Sequence, residues 1–158
     1  MSSGAFCVQF AGPVIAITVA PDAILRYGMA MSNITSEKKP LHSQAPLAER
    51  AAAIGAWLLD HKALNLVRID LSSEAFADVL FVVSAQSARQ GQALADGLAE
   101  FCRETNQEFL GMEGYQAAQW ILVDLNDILV NIFQEQSREL YKLEDLWQQA
   151  AIANLEEK

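Results

Sequence analysis

The sequence has few of the features that would cross-link a chain through disulfides or a metal, or place it in a membrane. Its two cysteines, Cys7 and Cys102, are far apart, and neither has a partner at zinc-site spacing. We therefore expect reduced thiols, no metal and a cytoplasmic location. The apolar run from Ala5 to Ala20 contains Pro13 and is short for a membrane span. The first basic residue is Arg26, which argues against secretory and transit peptides, so we expect no membrane association.

Basic residues are also scarce, and the sequence shows no basic cluster. The formal charge is −9, and residues 45–158 hold 18 acidic against eight basic residues. A protein that binds nucleic acid through phosphates needs a basic patch, so we expect little direct nucleic acid binding. An acidic domain would instead be steered towards a basic protein surface. The charge is equally compatible with a role in solubility alone.

The motifs of nucleotide chemistry are missing as well. The sequence contains no D-x-D pair, no Gly-Ser pair and no glycine-rich phosphate loop of the Walker or G-x-G-x-x-G type. Its two histidines, His42 and His61, stand in a polar tail and at a predicted helix end. We therefore predict no catalytic residues and no cofactor.

The chain from residue 45 shows the alternation of elements that is typical of a single small α/β domain. A helix is predicted from Pro46 to near His61, and strands are predicted at Leu64 to Leu71 and at Val79 to Val83, the second apolar throughout and hence central. Ser87, with Gln90 three residues on, predicts a helix N-terminus, and a short strand is expected at Gln107 to Leu110. The simplest assembly is a mixed β-sheet flanked by helices.

The segment Trp120 to Phe133 has the alternation of a β-hairpin. A two-residue loop, Leu125-Asn126, would set Asp124 opposite Asp127, with Asn126 at positive φ. The same register pairs Leu122 with Leu129 and Trp120 with Asn131. Alternation then makes one face wholly apolar, with Ile121, Val123, Ile128, Val130 and Ile132. The other face is mixed, and we expect it to be open to a partner.

Two aspartates flank the predicted hairpin turn and allow two interpretations. Asp124 and Asp127 could bind a divalent cation or share a proton across the turn. No third ligand is nearby in sequence, so a solvated turn or a protein contact is the favoured interpretation. After the hairpin, helical segments are predicted from Glu135 to about Asn154, with an apolar face that includes Leu140 and Leu143.

The hairpin and the helix that follows it resemble a known family. Trp120 to Phe133 reads WILVDLNDILVNIF, and it resembles the W-[IV]-[LV]-x-D-x-G-D-[IV]-x-V-H-[VI]-[FM] strand pair of the ribosomal silencing factor S (Iojap-like) family. The family's Q-x-x-x-R-E-[LF]-Y-x-L-E-x-L-W run is matched from Gln134 to Trp147, and its L-G-x-E-G from Leu110 to Gly114. Asn126 replaces the usual Gly, and Asn131 replaces the usual His.

This resemblance implies a nucleotidyltransferase-like α/β fold, which the missing carboxylate motifs predict to be catalytically empty. It also implies a non-enzymatic factor that binds the L-fourteen protein of the large ribosomal subunit and sterically blocks joining of the small subunit under nutrient limitation. Two alternatives remain, a large-subunit assembly factor and an enzyme of the nucleotidyltransferase type. Sequence leaves open whether the protein is a monomer or a homodimer.

The sequence and the resemblance together give a domain plan and a candidate contact set. Residues 1–44 are expected to be an N-terminal extension, disordered or arising from an early start codon. Residues 45–150 are predicted as the silencing factor domain and residues 151–158 as a C-terminal tail. The predicted partner-binding residues are Trp120, Leu122, Asp124, Asp127, Leu129, Asn131, Gln134, Arg138 and Tyr141.

Overall fold

Residues 45–71, 75–147 and 150–155 are described by a computed structural model, and the predicted extension 1–44 lies outside them. The helices are α1 (Leu47–Asp60), α2 (Ala88–Glu104) and α3 (Glu135–Tyr141), followed by a 3-10 helix (Leu143–Trp147). The strands are β1 (Leu64–Asp70), β2 (Val79–Ala85), β3 (Gly111–Glu113), β4 (Trp120–Asp124), β5 (Ile128–Gln134) and β6 (Ala151–Leu155). Helices α1 and α2 and strands β1 and β2 lie where the sequence predicted them.

The strands form one six-stranded mixed sheet in the order β3-β4-β5-β2-β1-β6. Strands β2 and β5 are parallel, and the other neighbours are antiparallel. Every residue of β2 is buried, which confirms that this strand is central. The predicted mixed sheet flanked by helices is therefore confirmed. The strand expected at Gln107 to Leu110 is misplaced, because β3 begins at Gly111.

Both faces of the sheet are covered. On the first face, α1 and α2 pack on a core that contains all five residues of the predicted apolar hairpin face: Ile121, Val123, Ile128, Val130 and Ile132. On the second face, Tyr141 of α3 and Leu143 of the 3-10 helix pack on a second core. Burial of each large aliphatic side chain contributes roughly 1.5–3 kcal/mol, so both layers stabilise the sheet.

Two local features fix the path of the chain, one at the start of α2 and one next to β4. The Ser87 hydroxyl accepts a hydrogen bond from the Gln90 amide at 3.2 Å, as the capping pattern predicted, while Gln90 Oε1 accepts from the amide of Gln86 at 2.6 Å. Gly114 has φ +77°, and a Cβ there would lie 2.1 Å from the carbonyl oxygen of Trp120. Only glycine permits this close approach next to β4.

The hairpin register differs by two residues from the predicted one. Asp124 pairs with Leu129, Leu122 with Asn131 and Trp120 with Phe133. The turn is longer than predicted, because β4 ends at Asp124 and β5 begins at Ile128, with the Leu125 amide bonded to the Ile128 carbonyl at 2.9 Å. A shift of two preserves the face of every side chain, so the predicted faces are correct although the predicted partners are wrong.

The predicted helix to about Asn154 is also wrong. Lys142 adopts the left-handed conformation, with φ 42° and ψ 54°, and ends α3. The chain then forms the 3-10 helix, and residues 151–155 of the predicted C-terminal tail form β6, which pairs with β1. The break rotates the following residues relative to α3, so that Leu143 is buried while Leu140 remains 64% exposed.

Candidate interaction surface

The two turn aspartates are buried, so the expected solvated turn is incorrect. Asp127 is 4% exposed, and both of its carboxylate oxygens bind the guanidinium of Arg50 in α1. The Nη1 to Oδ1 distance is 2.8 Å. Asp124 Oδ1 accepts the amide of Asn126 at 2.9 Å, in a turn where Asn126 has the predicted positive φ of 79°. Each carboxylate therefore has its own structural role.

Arg50 extends this network to a further carboxylate. Its Nη1 lies 3.7 Å from Glu108 Oε2, and its Nε donates to the Ala45 carbonyl at 3.1 Å. The hydrogen bond to Asp127 raises the pKa of Arg50 above its ordinary value, against the opposing effect of burial. Sequence reasoning missed Arg50. The available signal was a charged residue within the apolar helical stripe Leu47, Ala51, Ile54 and Leu58.

Asn131, which stands where the family usually has His, is fully buried on the second face of the sheet. Its Oδ1 accepts from the indole Nε1 of Trp120 at 3.1 Å, and its Nδ2 donates to the Phe81 carbonyl at 3.4 Å. The amide thus supplies one acceptor and one donor inside the sheet. Asn131 orients Trp120 from below and does not itself reach the surface.

Trp120 is half-buried and forms the edge of an aromatic cluster. Its ring stacks on Phe133 with centroids 4.9 Å apart, and the Tyr141 ring lies 5.4 Å away. The rest of this face is closed, because Leu122 is 2% and Leu129 1% exposed beneath the second layer. The expectation that this hairpin face is open to a partner is therefore wrong.

Gln134 directly precedes α3 and Arg138 lies in its last turn, and both side chains hold the helix in place. Gln134 Nε2 donates to the Ala118 carbonyl at 2.9 Å. Arg138 Nη1 donates to the Asn65 carbonyl at 2.7 Å and to Ser84 Oγ at 2.9 Å, while its Nε donates to Glu144 at 2.8 Å. Both side chains are partly exposed, and both join α3 to neighbouring segments.

Leu140 is an exposed apolar residue of α3, next in sequence to Tyr141, whose ring lies 5.4 Å from that of Trp120. Arg138 reaches β1 and β2, which lie on the side of β5 opposite β4. At about 100° per residue, Leu140 lies on the side of α3 opposite Arg138. Gln136 and Ser137 share this flank. We call Trp120, Gln136, Ser137 and Leu140 the Trp120–Leu140 patch.

The composition of this patch is typical of the centre of a protein interface. It combines a partly exposed indole with a leucine that is 64% exposed. The exposed carboxylates Glu135 and Glu139 lie on the same short helix. Both carboxylates line the same surface as Arg138 and Ser84, so they lie on the flank of α3 away from Leu140. The sequence predicted Trp120 as a contact residue, whereas it predicted Leu140 only as part of the apolar face of a longer helix.

The structure adds two findings on other kinds of site. Among the described residues, no group of three or more His, Cys, Asp and Glu side chains is placed to hold a metal ion. None of the helices in the described part of the chain is both long and apolar enough to cross a membrane.

Comparisons with known proteins match this fold. The family described as "Ribosomal silencing factor during starvation" matches residues 43–158. A protein named ribosomal silencing factor RsfS from Halalkalibacterium halodurans is 35% identical over 98 residues, which cover 61% of this chain and 84% of that protein. A protein of the same name from Haemophilus influenzae is 37% identical over 87 residues, covering 54% and 85%.

Solved structures give the same result at the level of the fold. A crystal structure of a protein from Chromobacterium violaceum has a TM-score of 0.62 and 25% identity, and the match covers 72% of this chain and 92% of that one. A crystal structure from Bacillus halodurans has a TM-score of 0.58 and 29% identity, covering 68% and 99%.

A family match over residues 43–158 includes every helix and strand described above. The fold and the comparisons define a small mixed-sheet domain of the type found in translational regulators. The chain belongs to the family of ribosomal silencing factors that act during starvation.

Proposed function

We propose that this protein binds the L-fourteen protein of the large ribosomal subunit and sterically blocks joining of the small subunit, repressing translation when nutrients are scarce. The observation that carries the proposal is the Trp120–Leu140 patch, an exposed apolar centre on an acidic member of the silencing factor family. Steric exclusion needs only tight and well-placed binding, so the proposed function requires no catalytic group and no cofactor. The proposed site of action is the cytoplasm.

The nine predicted contact residues have two kinds of role in this proposal. Trp120, Gln134 and Arg138 are partly exposed and contact the partner directly, joined by Leu140. The other six are buried and shape the surface from within: Leu122, Asp124, Asp127, Leu129, Asn131 and Tyr141. Asn131, for example, orients the Trp120 indole through the hydrogen bond to Nε1.

Charge supports the choice of a basic protein partner. Residues 45–158 hold 18 acidic against eight basic residues. Complementary charge at the border of an interface accelerates encounter, while the apolar centre supplies most of the affinity. RNA phosphates would be repelled by the same acidic surface. Binding is therefore proposed to depend on a ribosomal protein and little on ribosomal RNA.

The test is co-sedimentation of the purified protein with separated large and small subunits, followed by addition of the missing subunit. We expect selective binding to the large subunit and a reduced fraction of joined ribosomes. Binding without an effect on joining would favour the alternative assembly factor, which uses the same kind of surface during maturation. If the protein bound neither subunit and instead turned over nucleotide with Mg²⁺, the proposed function would be wrong.

A further inference from the structure

Strand β6 ends the sheet with an unprotected edge. It is the last strand in the order, so no described strand pairs with its outer side. The segment Ala151–Leu155 reads AIANL and contains no charge and no proline. Sheet edges in soluble proteins are usually blunted by Lys, Pro, bulges or short length, and the opposite edge, β3, has only three residues. Strand β6 is therefore a regular template on which a further extended segment can pair.

An apolar groove lies beside this edge, at the end of β6 where Leu155 pairs with Leu66. The groove has a volume of about 550 Å³, and its lining includes Leu64, Ile152 and Leu155. Leu64 and Ile152 are 37% and 44% exposed. A segment that pairs with β6 directs alternate side chains to each face of the sheet, so one of its apolar side chains can enter the groove.

A polar cleft of about 380 Å³ adjoins the groove, and Asn65, Arg138 and Glu144 line both. Four carboxylates line the cleft against two basic side chains: Glu135, Glu139, Glu144 and Asp145 against Arg138 and Lys142. Because Glu144 is bound to Arg138, the excess negative charge comes from the other three carboxylates. A cleft of this charge attracts Lys or Arg side chains, as does the acidic domain around it.

We propose that β6 binds an extended segment of a different protein, in which apolar residues pair along the edge and Lys or Arg residues reach the cleft. Antiparallel pairing is the more stable arrangement, and it sets the N-terminal end of the segment beside Leu155. The groove and the cleft lie at that end, because Asn65 lines both and directly precedes Leu66, the partner of Leu155. The basic residues therefore precede the apolar ones in the sequence of the bound segment.

This edge is separate from the Trp120–Leu140 patch. Strands β5, β2 and β1 lie between β4, which carries Trp120, and β6. Main-chain hydrogen bonds to the edge supply affinity, while the groove and the cleft select the side chains of the bound segment. The proposal therefore goes beyond the proposed function and does not depend on it.

The test is binding of synthetic peptides to the full chain, measured by fluorescence anisotropy. The probe has a short run of lysines followed by alternating valine and threonine. One control peptide has the same residues with the lysines last, and a second has glutamates in place of the lysines. We expect the lysine-first peptide to bind about tenfold more tightly than the glutamate peptide and more tightly than the lysine-last peptide. Its affinity should fall with added salt, and bound peptide should slow hydrogen exchange of the β6 amides.

Charge at the edge gives the decisive variant. Ile152→Lys places a positive charge on β6 and in the groove, and it is expected to weaken binding of the lysine-first peptide by about tenfold or more. Asp145→Asn removes one carboxylate of the cleft and is expected to weaken the same peptide by about twofold. Ala56→Lys makes the same charge change as Ile152→Lys at an exposed position of α1 and is expected to leave binding nearly unchanged.

Three outcomes would overturn the proposal. The first is a lysine-first peptide that binds no more tightly than either control peptide. The second is unchanged binding by an Ile152→Lys variant whose circular dichroism is that of the parent. The third is slow exchange of the β6 amides without peptide at the lowest protein concentration, because the edge would then be covered already. None of these measurements involves the ribosome, so they are independent of the proposed function.

Discussion

Arg50 and Asp127 join the first turn of α1 to the β4–β5 turn, across 77 residues of sequence. Both side chains are buried, and the guanidinium binds both carboxylate oxygens. Removing one partner of a buried ion pair leaves the other charge without compensation. This pair is therefore expected to determine the stability of the domain more than any exposed ion pair, such as that of Arg103 with Glu100.

Replacing Asp127 by Asn should destabilise the protein strongly. The change removes the negative charge that compensates the buried Arg50, and we expect the free energy of unfolding to fall by about 3–5 kcal/mol. Urea denaturation measures it. The matched control is Asp124→Asn, which retains the oxygen that accepts from Asn126 and should cost less than about 1 kcal/mol. Equal costs for the two variants would contradict this assignment.

Truncation of Leu122 should lower the stability of the protein strongly, whereas truncation of Leu140 should change it little. Leu122 is 2% exposed, so Leu122→Ala leaves a cavity and is expected to cost about 2–5 kcal/mol. Leu140 is 64% exposed, and Leu140→Ala should change stability by less than about 0.5 kcal/mol. Thermal and urea unfolding of the two variants would test this, and a stable Leu122→Ala protein would show that the second face is open.

The hydrogen bond between Trp120 and Asn131 should be measurable as a coupling energy. Trp120→Phe keeps an aromatic ring on Phe133 but removes the Nε1 donor, and Asn131→Ala removes the acceptor. In a double-mutant cycle on unfolding free energy, we expect a coupling of about 1 kcal/mol between them. Strict additivity of the two single changes would show that the bond contributes nothing to stability.

Cys102 should be unreactive in the folded protein. Its burial raises the pKa of the thiol from 9.0 to about 12, so little thiolate exists near neutral pH. In a Cys7→Ser background, we expect a thiol reagent at about pH 8 to label Cys102 only in urea. As pH rises above 9.0, the unfolded thiol ionises first, so this residue should reduce stability between 9.0 and about 12. Cys102→Ala should remove that part of the decline, whereas rapid labelling of the native protein would contradict it.

The sequence predicted those features that depend on periodicity. Alternation in the hairpin assigned each side chain to the correct face, even though the register differed by two residues, because a shift of two preserves the faces. Helical spacing and the Ser87 cap placed α1 and α2. The nucleotidyltransferase-like character of the fold and its lack of catalysis remain predictions.

Features that depend on one residue's backbone angles were not predictable in the same way. Lys142 adopts a left-handed conformation that residues other than glycine rarely take, and nothing in the sequence marks it. That single residue ends α3 at Tyr141, and the chain after it forms the 3-10 helix and β6 instead of continuing the predicted helix. The partner of Asp127 was missed for another reason, since Arg50 is distant in sequence and only the fold brings the two together.

The proposed function requires that the Trp120–Leu140 patch binds the large subunit and thereby prevents subunit joining. The most direct measurement is the fraction of joined ribosomes, on a density gradient, in the presence of the parent protein or of Leu140→Asp. Phe109→Asp is the matched control, since Phe109 is also exposed, at 40%, but precedes β3 at the far end of the hairpin. We expect the parent and Phe109→Asp to block joining and Leu140→Asp to bind at least tenfold more weakly, at about 1.4 kcal/mol per tenfold, and to leave joining intact. A folded Leu140→Asp protein that blocks joining as well as the parent would contradict the account.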